Sequence, residues 1–159
     1  KRRSGARPGD VIFTAGALGA SGAGLRDILA GRYNTPAAAV HRNPRPQVAE
    51  GVWLGQRHEV HAMMDISDGM ERSGVGAAID TERIPAAADA DIRTAACAGE
   101  DYVLLLTADC ADAERLAADF LARFGAPLHP VGRITDGREL EWFENGTLRP
   151  LDWHGFTHY

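Results

Sequence analysis

The stretch Met63-Met64-Asp65-Ile66-Ser67-Asp68-Gly69 sets a short apolar run directly against two carboxylates, a hydroxyl and a glycine. Such a run reads as a buried strand that ends in chemistry. With Asp65 in the last strand position, Asp68 falls in the turn just beyond it, and both carboxylates can reach one point in space. Ser67 can offer an oxygen beside them. Oxygen ligands gathered this way suit a hard cation such as Mg²⁺, which is usually shared between a few carboxylates and substrate phosphates. The plainer reading makes Asp68-Gly69 a turn and Asp65 the cap of a following helix. On spacing alone D-x-x-D-G favours the plainer one, so the rest of the chain has to decide.

Upstream, His58-Glu59-Val60-His61 is one residue short of the H-E-x-x-H zinc pattern. At a strand start its two histidines would point to opposite faces. Pro46 suits the first turn of a helix over 47–54, with Val48, Val52 and Trp53 as its inner face. His41-Arg42-Asn43-Pro44-Arg45-Pro46 reads as a rigid loop. Further back, 11–15 is a short buried strand, and Gly16 to Gly24 leads into a helix over 25–30. That glycine-rich turn lacks the Gly-Lys-Ser/Thr ending of a phosphate loop, and Gly19, Gly22 and Gly24 do not fit the dinucleotide fingerprint. Small residues there are expected to let the helix pack closely on the sheet. The opening Arg3-Ser4-Gly5-Ala6-Arg7-Pro8-Gly9-Asp10 is a loop with its turn at Pro8-Gly9.

Downstream, 75–80 reads as a strand, 84–90 as a loop and 92–96 as a short helical piece. Tyr102-Val103-Leu104-Leu105-Leu106-Thr107 is a buried strand. Apolar residues at Ala113, Leu116, Ala117, Phe120, Leu121 and Phe124 predict an amphipathic helix over 109–124. Strands follow at 128–134 and 140–143, the second turning at Asn145-Gly146. The aromatic tail Trp153-His154-Gly155-Phe156-Thr157-His158-Tyr159 is expected to dock rather than fray.

Composition narrows the partners. With 159 residues the chain is long enough for one domain with a real core. A net charge of −5 argues against a general nucleic-acid surface. No apolar run is long enough to span a membrane. Cys97 and Cys110 lack metal-type spacing, so reduced thiols and a cytoplasmic setting are expected.

Read together, six blocks resemble the C-terminal domain of the thiamine-monophosphate kinase family, within the superfamily of aminoimidazole ribonucleotide synthetase. They are Arg3–Asp10, Leu18-Gly19-Ala20-Ser21, His41-Arg42-Asn43-Pro44, Met64–Gly69, Gly99-Glu100-Asp101-Tyr102 and Gly155-Phe156-Thr157-His158-Tyr159. The resemblance implies an α+β fold, a layered domain with a mixed β-sheet covered by helices, spanning 1–159. It implies Asp65 and Asp68 as Mg²⁺ ligands, Arg3 and Ser67 as ATP contacts, and Glu100 and Phe156 as contacts to thiamine monophosphate. The implied reaction is phosphoryl transfer from ATP to thiamine monophosphate. The implied partner is an N-terminal ATP-binding domain that this sequence does not contain, in a homodimer when complete. Two alternatives stay open: a non-catalytic fragment that binds ligand or a partner, and a related ATP-using enzyme with another acceptor.

The sequence also departs from the family. A helix of roughly ten residues expected after Gly69 is missing. The run from Pro85 to Ala98 is short, Ala98 replaces a usual glycine, and Val103 replaces a usual glutamate.

Overall fold

Strand β1 (Val11–Thr14) is buried at all four positions, because Ile12 faces one apolar layer while Val11 and Phe13 face another. In the computed structural model, which describes residues 1–66, 76–151 and 153, β1 lies inside a seven-stranded sheet. The other strands are β2 (Val60–Asp65), β3 (Gly76–Asp80), β4 (Leu104–Ala108), β5 (His129–Thr135), β6 (Leu140–Glu144) and β7 (Thr147–Arg149). Their order is β2-β4-β1-β5-β3-β6-β7. Every neighbouring pair is antiparallel except β3 and β6, which run parallel. The sheet is therefore mixed, and the fold is α+β as expected.

Among the described residues five helices accompany it: α1 (Ala20–Leu29), α2 (Pro36–Arg42), α3 (Val48–Gln56), α4 (Ile92–Cys97) and α5 (Ala113–Phe124). On one face Leu54 of α3 and Leu116 and Phe120 of α5 pack over Phe13, Val60 and Leu106. Trp53 meets Phe120 and Phe124 edge-on, at 6.0 and 5.8 Å between ring centroids, a favoured aromatic geometry. On the other face Ala95 and Ala96 of α4 join Ile12, Ile66, Ile79, Val131 and Trp142.

Helix α2 was not legible as a helix. Thr35 caps it by accepting the Ala38 N–H, and Pro36 opens its first turn, so His41 and Arg42 end a helix rather than begin a loop. Helix α3 is rotated from the expected face. Val48 and Val52 are 66% and 59% exposed, while Glu50 and Leu54 turn inward. Two contacts fix that rotation. Arg45 pairs with the buried Glu50 carboxylate at 2.6 Å, and the Gln47 side-chain amide bridges β4 and the residue just after β1. It donates to the Ala15 carbonyl and accepts from the Leu104 N–H, both at 2.8 Å. Gln47→Ala should therefore lower stability by about 1–3 kcal/mol in urea unfolding, because two backbone groups lose their partner. A change under a few tenths of a kcal/mol would show that water replaces the amide.

The small residues of α1 serve close packing, against helices rather than the sheet. A Cβ at Gly22 would come within 2.5 Å of the Ala98 Cβ, and one at Gly24 would run into the Ala37 carbonyl. In α5, Leu121 is half exposed while Ala113, Leu116 and Phe120 form the buried stripe.

Candidate active site at the end of strand β2

Asp65 occupies the last position of β2, exposed, with Leu104 at the start of β4 as its cross-strand partner. The next residue, Ile66, is buried and continues the pairing beyond the strand. Its N–H donates to the Val103 carbonyl at 2.9 Å, and its carbonyl accepts the Tyr102 N–H at 3.1 Å. The Asp65-Ile66 step is thereby stitched to the segment that carries Glu100.

That segment has unusual backbone. Gly99, Glu100 and Tyr102 have φ of 66°, 60° and 53°, so two residues with side chains sit in the left-handed region. The conformation begins β4 at Leu104 rather than Tyr102. Between them, Asp101 turns into the protein. Its carboxylate accepts the Gly19 N–H at 2.6 Å and the Ser21 N–H at 2.9 Å, which are among the donors a helix leaves unpaired at its N-terminus. The Ser21 hydroxyl in turn lies 2.8 Å from His41 Nδ1. Four of the blocks singled out in the sequence thus meet here: Leu18–Ser21, His41, Asp65-Ile66 and Gly99–Tyr102. Two of the donors at the start of α1 are taken by Asp101, which agrees with reading its glycines as packing residues.

Burial pushes the Asp101 carboxyl above its ordinary range, and its hydrogen bonds to Gly19 and Ser21 offset only part of that. A carboxyl raised in the folded state binds its proton more tightly there than in the unfolded chain. The stability it contributes is therefore full below the unfolded value and falls as pH rises through the folded one. The stability difference between the wild type and Asp101→Asn should accordingly move against the wild type as pH rises from about 4, the ordinary aspartate range. Urea midpoints of both proteins across pH check this; parallel curves would contradict it.

A second cluster anchors the Arg3–Asp10 segment along β2. His61 sits at an irregularity in β2, where pairing with β4 shifts between Val60 and Ala62; such bulges re-aim side chains. Its Nδ1 lies 2.9 Å from the buried Asp10 carboxylate, and its Nε2 lies 3.1 Å from the Arg7 guanidinium. A guanidinium only donates, so Nε2 accepts and Nδ1–H donates. Thr107 and the Arg7 N–H also donate to Asp10, each at 3.0 Å. Gly5 packs so tightly on the His61 carbonyl that a Cβ there would collide with it.

Of the residues the sequence singled out, Asp65 and Glu100 are described, and both are exposed on segments that hydrogen-bond to each other. Arg3 opens the short helical turn Arg3–Gly5, and its side chain lies outside the described part. Ser67, Asp68 and Phe156 lie outside the described residues. Trp153 packs on Trp142, 5.3 Å between ring centroids, so the final segment docks as far as that residue. Among the described residues no group of three or more His, Cys, Asp or Glu side chains could hold a metal ion. What they offer a hard cation here is the single Asp65 carboxylate, an oxygen donor of the type Mg²⁺ takes, where such an ion needs several. A cavity of about 690 Å³ beside α5, lined by Phe13, Ala117, Pro130 and Phe143, involves neither Asp65 nor Glu100.

Sequence reasoning missed Asp101, Gln47, Asp10 and His61 as organising groups. Each acts on a partner between 32 and 97 positions away, and no local pattern signals that.

A mixed sheet clad by helices, here with an exposed aspartate at the end of one strand, is shared with known proteins over most of the chain. Residues 7–143 match the family described as AIR synthase related protein, C-terminal domain, and the chain belongs to that family. Within it, the chain is similar to the thiamine-monophosphate kinases. It is 32% identical over 184 residues to that of Salmonella typhimurium, covering 99% of this chain and 55% of the relative. The crystal structure of thiamine-monophosphate kinase from Stenotrophomonas maltophilia K279a is 28% identical, with a TM-score of 0.76 over 93% of this chain and 54% of that one. A structure described as AaThiL complexed with AMPPCP and TMP is 29% identical, with a TM-score of 0.67 over 97% of this chain and 53% of that one. The chain thus spans about half the length of the curated relatives it matches.

Proposed function

We propose that this chain is the substrate-side domain of a kinase that transfers the terminal phosphoryl group of ATP to thiamine monophosphate, forming thiamine diphosphate. The observation that carries this is the direct hydrogen bonding of the Asp65-Ile66 step to the segment holding Glu100, which brings both residues to one end of the sheet; Asp65 is read here as the phosphate-side carboxylate and Glu100 as the thiamine-side one. Likeness to kinases of that name, one in complex with AMPPCP and TMP, supports it.

Moving a phosphoryl group onto another phosphate asks a protein mainly for positioning and charge neutralisation. The acceptor is already an anion and needs no strong base. Asp65 and Asp68 would hold Mg²⁺, which when bound neutralises the clustered phosphate oxygens. Arg3 and Ser67 would contact ATP, with the Arg7–His61–Asp10 cluster keeping the Arg3 segment on β2. Glu100 would accept from the thiamine ring system, and the Phe156 face would suit a cationic thiazolium or a flat pyrimidine. In this reading an N-terminal nucleotide-binding domain completes the site, the complete enzyme is a homodimer, and it works in the cytoplasm.

Calorimetric titration of this chain with thiamine monophosphate, with and without Mg²⁺ and AMPPCP, tests the reading. Saturable binding of thiamine monophosphate that Mg²⁺–AMPPCP strengthens supports it. Equal affinity for an unrelated phosphorylated alcohol would reject thiamine as the acceptor.

A further inference from the structure

We propose that Asp101 is a positioning residue: its grip on the first turn of α1 holds Gly99–Tyr102 in the left-handed conformation that presents Glu100 to the substrate. That Glu100 meets the thiamine substrate rests on the function proposed above; the mechanical role of Asp101 does not.

The backbone around Asp101 is strained. Glu100 and Tyr102, both with side chains, hold positive φ on either side of Asp101. Such residues persist only where surrounding contacts over-determine them, and they gather at functional sites. The contacts here are few and identifiable. Asp101, nearly fully buried, is tied by Gly19 and Ser21. Tyr102 N–H is tied to the Ile66 carbonyl. The two anchors pull in different places, one on α1 and one beside Asp65. Between them the chain buries Asp101 while leaving the adjacent Glu100 exposed. Relaxing Glu100 and Tyr102 to ordinary backbone would break one anchor or the other. The same device fixes Glu100 relative to Asp65, since Ile66 belongs to both hydrogen-bonded steps. α1 is itself seated firmly, its glycines pressed on α2 and α4, so the anchor it offers is rigid.

Asp101→Asn keeps the shape but turns an amide N–H₂ toward one of the two backbone donors. Tyr102→Gly removes strain instead, because glycine adopts positive φ without a steric cost. Amide hydrogen exchange at Ile66 and Tyr102 reads the opening of this segment. In Asp101→Asn exchange at Ile66 and Tyr102 should quicken by about tenfold or more, the scale of one lost charge-assisted hydrogen bond, while the core amide of Val131 keeps its rate. Adding Tyr102→Gly should recover several-fold of that protection at Ile66. Thiamine monophosphate affinity should fall about tenfold in Asp101→Asn and partly return in the double variant, with Mg²⁺–ATP affinity within about twofold throughout. A merely structural role would weaken both ligands together.

Unchanged exchange at Ile66 and Tyr102 in Asp101→Asn, or no recovery on adding Tyr102→Gly, would overturn the proposal. Should Asp101→Asn fail to fold, Tyr102→Gly alone decides: slower exchange at Ile66 supports strain there, and an unchanged rate refutes it. A complete wild-type protein, N-terminal domain included, with no affinity for thiamine monophosphate would reject the thiamine reading, and the exchange rates would still settle the role of Asp101.

Discussion

In the kinase proposed above, Asp65→Asn is expected to cut Mg²⁺-dependent phosphoryl transfer by at least about a hundredfold, the usual scale for one lost electrostatic contact at a transition state. The fold should be untouched. Asp65 is exposed and stands at the end of an edge strand, and asparagine preserves its shape and backbone. What changes is one formal charge at the point where a cation and phosphates would gather. The loss should therefore appear in divalent-metal binding as well as in turnover, measured by calorimetry with Mn²⁺ in place of Mg²⁺, while the thermal midpoint stays within a degree or two. A variant with wild-type metal affinity and rate would remove Asp65 from the site.

Phe120→Ala should give the largest stability loss, about 3–5 kcal/mol, through lost apolar burial and the cavity left behind. Phe120 is fully buried on α5. Its ring lies 4.8 Å from that of Phe124 and 6.0 Å from that of Trp53, measured between centroids. It thereby joins α5 to α3 over the Phe13 and Leu106 strands. Domains of this size are commonly stable by only about 5–15 kcal/mol, so the variant should be near the edge of folding. Urea unfolding followed by tryptophan fluorescence reads it directly, since Trp53 is part of the same cluster. A loss below about 1 kcal/mol would mean that the surrounding side chains collapse into the space.

The two residues differ in how visible they were beforehand. Phe120 stood out because helical spacing repeats every three to four positions, a pattern a single sequence displays. The strands 11–14, 104–108 and 129–135 were visible for the same kind of reason, as short apolar runs bounded by turn residues. Helix α2 escaped because its seven residues are too few for a periodic face. The rotation of α3 escaped because it is set by Gln47 reaching Ala15 and Leu104. For the site, Asp65 was placed from its position after an apolar run, and β2 does end there. Asp101 was not singled out, since its meaning depends on Gly19 and Ser21, more than seventy positions away. Local chemistry can be read along a chain; a carboxylate that serves a distant helix has to be seen in place.

Phosphorus NMR of the complete enzyme with ATP, Mg²⁺ and thiamine monophosphate tests the central claim most directly. ADP and thiamine diphosphate are expected to rise together in equal amounts, and neither to form when Mg²⁺ is chelated. ADP without thiamine diphosphate, or a phosphorylated product from another acceptor in preference to thiamine monophosphate, would contradict it.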